Sequence, residues 1–192
     1  MNKFAYLVAA SAIAMSAFAQ GTIDIGNRAF AYTGSVATGS ALVNDASGKP
    51  LTGTSYVAQI FYGASAASLN NSFAPVPFRA STTTYPGTWN PGASAIQELT
   101  GVGYNQTVTL QVRVWDSAIA GAGADTALAK AAGTGLSETF TYKTGADALA
   151  IPTGMENLKS FSLVGSTPVI PEPTTVALGA IGAAALLLRR RK

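Results

Sequence analysis

The sequence predicts an all-β fold, an antiparallel β-sandwich of the jelly-roll or immunoglobulin-like kind. The segment Gln106–Trp115 alternates apolar and polar residues with a period of two, which is typical of a strand with one buried face. Several shorter segments rich in β-branched and aromatic residues are separated by turns that contain glycine and proline. No segment has the length and the 3.6-residue periodicity of a major helix. Together these observations favour a sandwich.

The first segment of the chain is typical of a secretory signal peptide. Lys3 provides a positively charged start, and the mostly apolar run Phe4–Met15 follows it. Ala17 and Ala19 are the small residues that signal peptidase reads, so we expect cleavage after Ala19 and a mature chain that begins at Gln20. The alternative, an N-terminal membrane helix, is disfavoured because the apolar run is short.

The body of the chain contains further predicted strands and one short helical candidate. In chain order the predicted strands are Thr22–Ile25, Phe30–Thr33, Tyr56–Tyr62, Gln106–Trp115, Thr139–Tyr142 and Ser160–Val164. We expect the first two to be joined through a turn at Gly26-Asn27. The buried residues of the longest strand are expected to be Val108, Leu110, Val112 and Val114. The segment Thr126–Ala132 has the residue types that favour one or two helical turns.

The C-terminal segment combines a proline box, an apolar run and a basic cluster. Pro171, Glu172 and Pro173 form the box, and the two prolines favour extended backbone before them. The uncharged run Thr174–Leu188 is long enough for a helix of about 22 Å, against a bilayer hydrocarbon core of about 30 Å. We expect the basic cluster to remain on the cytoplasmic side of the membrane. Its members are Arg189, Arg190, Arg191 and Lys192.

This ordered set of features resembles the PEP-CTERM tail of bacterial exported proteins, which are substrates of the membrane protease exosortase. The resemblance implies that Pro171, Glu172 and Pro173 are the sorting and processing motif. It also implies that exosortase and signal peptidase act on the chain during export, and that the protein reaches the cell surface or the extracellular space. The alternative is an ordinary tail anchor with a chance Pro-Glu-Pro linker. Whether the tail is cleaved or retained stays open.

Blocks of the body carry a second resemblance. Tyr56–Gly63, Val76–Arg79 and Thr109–Asp116 are similar to segments of small PEP-CTERM proteins from Verrucomicrobia and related bacteria. These blocks are mainly strands, so the resemblance implies a fold and no activity. We therefore divide the chain into a signal peptide (1–19), a β-sandwich domain (20–168) and a sorting signal (169–192).

The charge balance of the body argues against binding to nucleic acid. The whole chain has a formal net charge of +3, but five of its 12 basic residues lie in the two targeting segments. The body has seven basic and eight acidic residues, so it is close to neutral. Proteins that bind DNA or RNA need a basic surface to neutralise phosphates. We expect no nucleic-acid partner.

The residue types present also restrict the chemistry. The chain has no histidine and no cysteine, which excludes Ser-His-Asp and Cys-His catalysis and zinc sites built from those ligands. Asp116-Ser117-Ala118 and Asp125-Thr126-Ala127 echo aspartic protease loops, but turn capping explains them better because the protease needs two equivalent lobes. We predict no catalytic residue, no enzyme and no required cofactor. Calcium is left without an assigned site; its candidate ligands are Asp45, Asp116, Asp125 and Asp147.

The loop Tyr85–Gly92 is the candidate ligand-binding segment. Tyr85 and Trp89 lie among prolines and glycines and would be able to present flat ring faces to a sugar. The alternative is that Trp89 folds back over the core. The leading interpretation is an exported, non-enzymatic protein held at the surface or in extracellular polysaccharide. The rivals are a carbohydrate-binding module that acts on exopolysaccharide through Tyr85 and Trp89, and a carboxylate-dependent hydrolase.

Overall fold

The structure is a computed structural model that describes residues 20–120 and 133–164. Strands dominate this part of the chain, and the α-helix found there is the single turn α1 (Ser117–Ala120). The strands are β1 (Thr22–Asp24), β2 (Tyr32–Thr33), β3 (Val36–Ala37), β4 (Val43–Asn44), β5 (Tyr56–Gly63), β6 (Asn71–Ser72), β7 (Val76–Pro77), β8 (Ile96–Glu98), β9 (Thr107–Asp116), β10 (Thr134–Leu136), β11 (Phe140–Lys143) and β12 (Phe161–Ser162). A 3₁₀ turn covers Gly92–Ser94. The predicted all-β class is confirmed.

Several predicted segments lie outside the described residues. They are the signal peptide (1–19), the helical candidate Thr126–Ala132 and the sorting signal (169–192). In the part of the chain that the structure does describe, no helix has the length and apolar character needed to cross a membrane.

Two long antiparallel strands form the centre of the main sheet. β5 pairs with β9 along the whole length of β5, from Tyr56 opposite Asp116 to Gly63 opposite Thr109. β10 and β11 both pair with the other side of β9, and β6 and β7 both pair with the other side of β5. The sheet therefore has four strand positions, and each outer position is shared by two short strands.

Each outer position contains a β-bulge. Between Leu136 and Phe140 the edge strand advances one residue more than its partner, which goes from Arg113 to Leu110. The same excess of one residue separates β6 from β7 opposite β5. An extra residue on one strand bends the edge and leaves backbone groups without ladder partners.

Side chains satisfy the backbone groups at these bulges. The Nε2 of Gln111 on β9 donates to the carbonyl oxygen of Ser137 at 3.3 Å, and the N–H of Val112 donates to Ser137 Oγ at 2.9 Å. On the other edge, Nε2 of Gln59 on β5 donates to the carbonyl oxygen of Phe73 at 2.9 Å. A glutamine on each central strand thus stabilises the bulge beside it.

The inner face of the main sheet carries the core. Its central residues are Ala58, Ile60 and Tyr62 on β5 and Val108, Leu110, Val112 and Val114 on β9, and all of them are buried. The predicted burial of the four β9 residues is confirmed, because strict alternation places every second side chain on one face.

A layer of short strand pairs and loops covers this face. β1 pairs with β8, and β2 pairs with β3, both in antiparallel orientation. The apolar residues that complete the core include Ile23, Ile25, Val43, Leu51, Leu99, Met155, Leu158 and Leu163. The kind of sandwich, jelly-roll or immunoglobulin-like, stays a prediction.

One detail of the predicted topology is wrong. β4 and β12 pair in parallel, with Phe161 opposite Val43, so the fold is not purely antiparallel. Gly26-Asn27 lies between β1 and β2 in the chain, but these strands do not pair with each other, since β1 pairs with β8 and β2 forms a hairpin with β3. Both pairings join segments that are distant in sequence or only two or three residues long, and local patterns do not specify such partners.

Candidate functional site

Trp89 belongs to the core. Its side chain has 0% of its surface exposed, and its Nε1 donates to the carbonyl oxygen of Ile25 at 2.7 Å. Its ring meets the ring of Phe78 edge-on, with the centroids 5.9 Å apart. A sugar needs an open ring face, so the sugar-binding role considered for Trp89 is wrong, and the alternative that this side chain folds back over the core is confirmed. The indole packs inwards because burial removes a large apolar area from water while the N–H keeps a partner.

Asn27 holds the same loop from the other side. It is fully buried, and its Nδ2 donates to the carbonyl oxygens of Ala41 at 2.8 Å and Gly87 at 3.1 Å. Its Oδ1 accepts from the backbone N–H of Trp89 at 3.2 Å. One side chain therefore joins three separate segments. Sequence reasoning treated Asn27 as a turn residue, and nothing local in the sequence distinguishes the two roles.

Tyr85 lies beneath two arginines. The guanidinium carbon of Arg28 is 3.7 Å from the centroid of the Tyr85 ring, and that of Arg79 is 6.0 Å from it. The ring of Tyr32 meets the ring of Tyr85 edge-on at 5.3 Å. A cation already occupies one face of Tyr85, which is a favourable contact for both partners. Tyr85 thus orients Arg28 and does not offer that face to a sugar.

The two arginines line a groove of about 400 Å³. Asp24 and Asn90 lie on its wall. Asn90 also borders two adjoining depressions, one of about 380 Å³ that it shares with Arg79 and one of about 190 Å³ beside Pro91. The depressions therefore converge on one exposed amide side chain. We call this region the Arg28–Arg79 groove.

Within residues 20–120 and 133–164, neither arginine of this groove has a carboxylate partner. Arg79 Nε donates to Thr88 Oγ1 at 3.1 Å, and Thr88 Oγ1 donates in turn to the carbonyl oxygen of Tyr85 at 2.8 Å. Burial lowers the pKa of Arg79, and the charge of Arg28 lowers it further. Lys159 and Glu138 form an ion pair, and neither arginine of the groove forms one with a described residue.

The predicted calcium ligands are engaged in turns. Asp45 Oδ1 accepts from the N–H groups of Ser47 at 2.8 Å and Lys49 at 3.0 Å, and the Ser47 hydroxyl is first among the contacts that lower the pKa of this carboxyl. The carboxylates of Asp116 and Asp147 accept from backbone N–H groups two or three residues further on. Within residues 20–120 and 133–164, no three metal-binding side chains come together. Asp125 lies outside those ranges, and calcium stays without a site.

Comparison with known proteins identifies the tail. Residues 169–192 match the family model described as the PEP-CTERM protein-sorting motif. This match covers the sorting residues Pro171, Glu172 and Pro173 and the basic cluster Arg189–Lys192, all of which lie outside the described residues. No curated protein and no solved structure matches the chain. The motif implies an exported protein that exosortase processes at the membrane.

Proposed function

We propose that this chain is a non-enzymatic protein that is delivered by exosortase and retained at the cell surface or in extracellular polysaccharide. The single observation that carries the proposal is the match of residues 169–192 to the PEP-CTERM sorting motif. The placement of the acidic side chains supports its non-enzymatic half. Asp45, Asp116 and Asp147 hold turns through backbone N–H groups, an ordinary structural use of aspartate.

Three parts of the tail have separate roles in this proposal. Proline disfavours helix in the residue before it, so we expect an extended Pro171-Glu172-Pro173 box that a protease can reach. The apolar run Thr174–Leu188 holds this box at the membrane, and Arg189–Lys192 fixes the orientation of the run. A simple tail anchor needs only the second and third parts. Glu172 therefore distinguishes a processing signal from an anchor.

The experiment compares wild-type protein with Glu172→Ala in a host with active exosortase and in the same host without it. We expect the wild type in the active host to lose Thr174–Lys192 and to begin at Gln20. We expect Glu172→Ala to remain uncleaved in the membrane fraction. Intact mass spectrometry reads both ends of the chain in one measurement.

Glu156→Ala is the matched control, because Glu156 is an exposed carboxylate of the body. It should be processed like the wild type. Wild-type protein that ends at Lys192 in the active host would contradict the proposal. So would normal processing of Glu172→Ala.

A further inference from the structure

We propose that the Arg28–Arg79 groove binds an acidic saccharide, a sugar that carries a carboxylate together with free hydroxyl groups. The site is lined by Arg28, Arg79, Asp24 and Asn90. This inference goes beyond the proposed function, concerns the body of the protein and does not depend on how the tail is processed.

The first argument is that two cations line one groove and neither forms an ion pair with a described residue. Arg28 and Arg79 lie over one tyrosine ring, with their guanidinium carbons 3.7 and 6.0 Å from its centroid. The two like charges repel each other, because the charge of Arg28 lowers the pKa of Arg79 in addition to the effect of burial. Two solvated arginines on a surface generally move apart, because water stabilises each charge separately. An anion bound between them would remove the repulsion.

The second argument is that both guanidinium groups are positioned but not saturated. The ring of Tyr85 supports Arg28, and Thr88 Oγ1 holds Arg79 through its Nε. The Nη groups of Arg79 and the guanidinium of Arg28 have no hydrogen-bond acceptor among residues 20–120 and 133–164. Planar guanidinium groups bind carboxylates through two parallel hydrogen bonds, and this geometry suits a bound acid group.

The third argument concerns the other polar groups of the groove. Asp24 lies on the same wall, with Oδ1 accepting from the N–H of Gly26 at 2.8 Å. Its negative charge disfavours a compact anion such as phosphate, but a carboxylate accepts readily from sugar hydroxyls. The amide of Asn90 adds a donor and an acceptor. A ligand that combines an acid group with hydroxyls satisfies all four side chains.

The fourth argument is shape. Asn90 lies where depressions of about 400, 380 and 190 Å³ meet, so the polar surface continues beyond one sugar-sized site. Trp89 and Asn27 fix the loop beneath this surface through buried hydrogen bonds. A site that is formed before binding loses little affinity to ordering. The groove therefore fits two or more linked sugar units better than a single free acid.

The test is calorimetric titration of the full-length protein in mild detergent. The probes are oligogalacturonate, the same oligomer fully methyl-esterified, and inorganic phosphate. We expect saturable binding of oligogalacturonate that weakens as salt is added, and at least about tenfold weaker binding of the neutral ester and of phosphate. Asp24→Asn should narrow the difference in binding affinity between oligogalacturonate and phosphate.

Variants identify the residues responsible. Arg28→Gln and Arg79→Gln should each weaken oligogalacturonate binding at least about tenfold, whereas Lys143→Gln, an exposed lysine of β11, makes the same charge change and should leave it unchanged. Arg79→Lys keeps the charge but not the paired geometry, and it should bind weakly while the protein stays folded. Thermal unfolding of each variant separates lost binding from lost structure.

The alternative outcome is two solvated arginines that bind nothing. No saturable binding of oligogalacturonate, equal binding of its methyl ester, or equal loss in Lys143→Gln would overturn the proposal. Phosphate binding as tight as that of the oligomer would overturn the saccharide assignment. None of these results depends on exosortase, so the site and the sorting proposal fail separately.

Discussion

Asn27 shows how one buried polar residue organises the site. Its amide donates to two carbonyl oxygens and accepts from one N–H, and all three partners belong to segments distant from Asn27 in sequence. A buried polar group is tolerated when all its hydrogen bonds are made. Trp89 depends on this arrangement, since its backbone N–H is one of the three partners. The loop that supports Arg79 and Tyr85 is therefore fixed from inside the protein.

We predict that Asn27→Ala lowers the free energy of unfolding by roughly 2–4 kcal/mol, because buried backbone groups lose their partners. Asn157→Ala is the control. Asn157 also donates to a backbone carbonyl, that of Thr141 at 2.9 Å, but it is exposed and water can replace it. Urea denaturation measures both variants. Equal stability of the two would mean that the Asn27 hydrogen bonds contribute no more than a surface contact.

For single residues, the sequence indicated which side chains are of interest better than it indicated what surrounds them in the fold. The aromatic residues of the loop drew attention to Tyr85 and Trp89, but their environments depend on distant segments. Arg28 and Arg79 lie far apart in the chain and share no motif, so their meeting over one ring follows only from the tertiary fold. The turn-capping role of Asp116, predicted in preference to an aspartic protease loop, did follow from local chemistry.

At the level of strands, the two long strands were predicted almost to the residue, whereas only some of the short ones were predicted. β9 was predicted from its period-two alternation and β5 from its aromatic and β-branched residues, and their observed bounds differ by at most one residue from the predicted ones. The bulges interrupt this alternation on both edges, so the edge strands have no such pattern. β4 and β8 consist of two or three residues each, too few for a periodic signal. β12 lies within the predicted strand Ser160–Val164, but its parallel pairing with β4 was not predicted. Their pairing depends on the second layer as a whole.

We predict that Val112→Asp unfolds the protein or destabilises it by more than about 3 kcal/mol. Val112 is at the centre of β9 with 0% of its surface exposed, and a carboxylate there would be buried without a partner. Thr107→Asp lies on the same strand but is exposed, and it should change stability little. Circular dichroism during thermal unfolding compares the two variants. A Val112→Asp variant as stable as the wild type would mean that this face is not the core.

At the level of the whole molecule, stability rests on one packed core. The chain has no cysteine, so no disulfide can stabilise the exported protein. The main sheet and the second layer share one hydrophobic cluster. Tyr142 of β11 also joins the layers, because its hydroxyl donates to the carbonyl oxygens of Thr22 at 2.9 Å and Thr153 at 3.3 Å. Because Tyr142 joins the two layers, its ionisation is expected to affect the stability of the whole domain at high pH.

The chain has no histidine, so we expect its stability to change little between pH 5 and 8. Burial raises the pKa of Tyr142 above its usual value of 10.0, and burial raises the pKa of Tyr32 in the same way. Above pH 10 an unfolded chain loses these protons while the folded one still holds them. The contribution of these tyrosines to the free energy of unfolding is therefore fully present below about pH 10. It is lost as the pH rises through the higher pKa of the folded state, by at most about 1.4 kcal/mol per pH unit for each tyrosine.

Urea midpoints measured from pH 7 to 11 test this expectation. Tyr142→Phe should be less stable than the wild type at pH 7, because it lacks the two hydrogen bonds to Thr22 and Thr153, yet it should lose less stability above pH 10. Tyr104→Phe, which removes a tyrosine outside these contacts, serves as the control. If the wild type and Tyr142→Phe lost the same stability above pH 10, the group that titrates would not be Tyr142. A flat profile up to pH 11 would show that burial of the tyrosines does not link proton loss to unfolding.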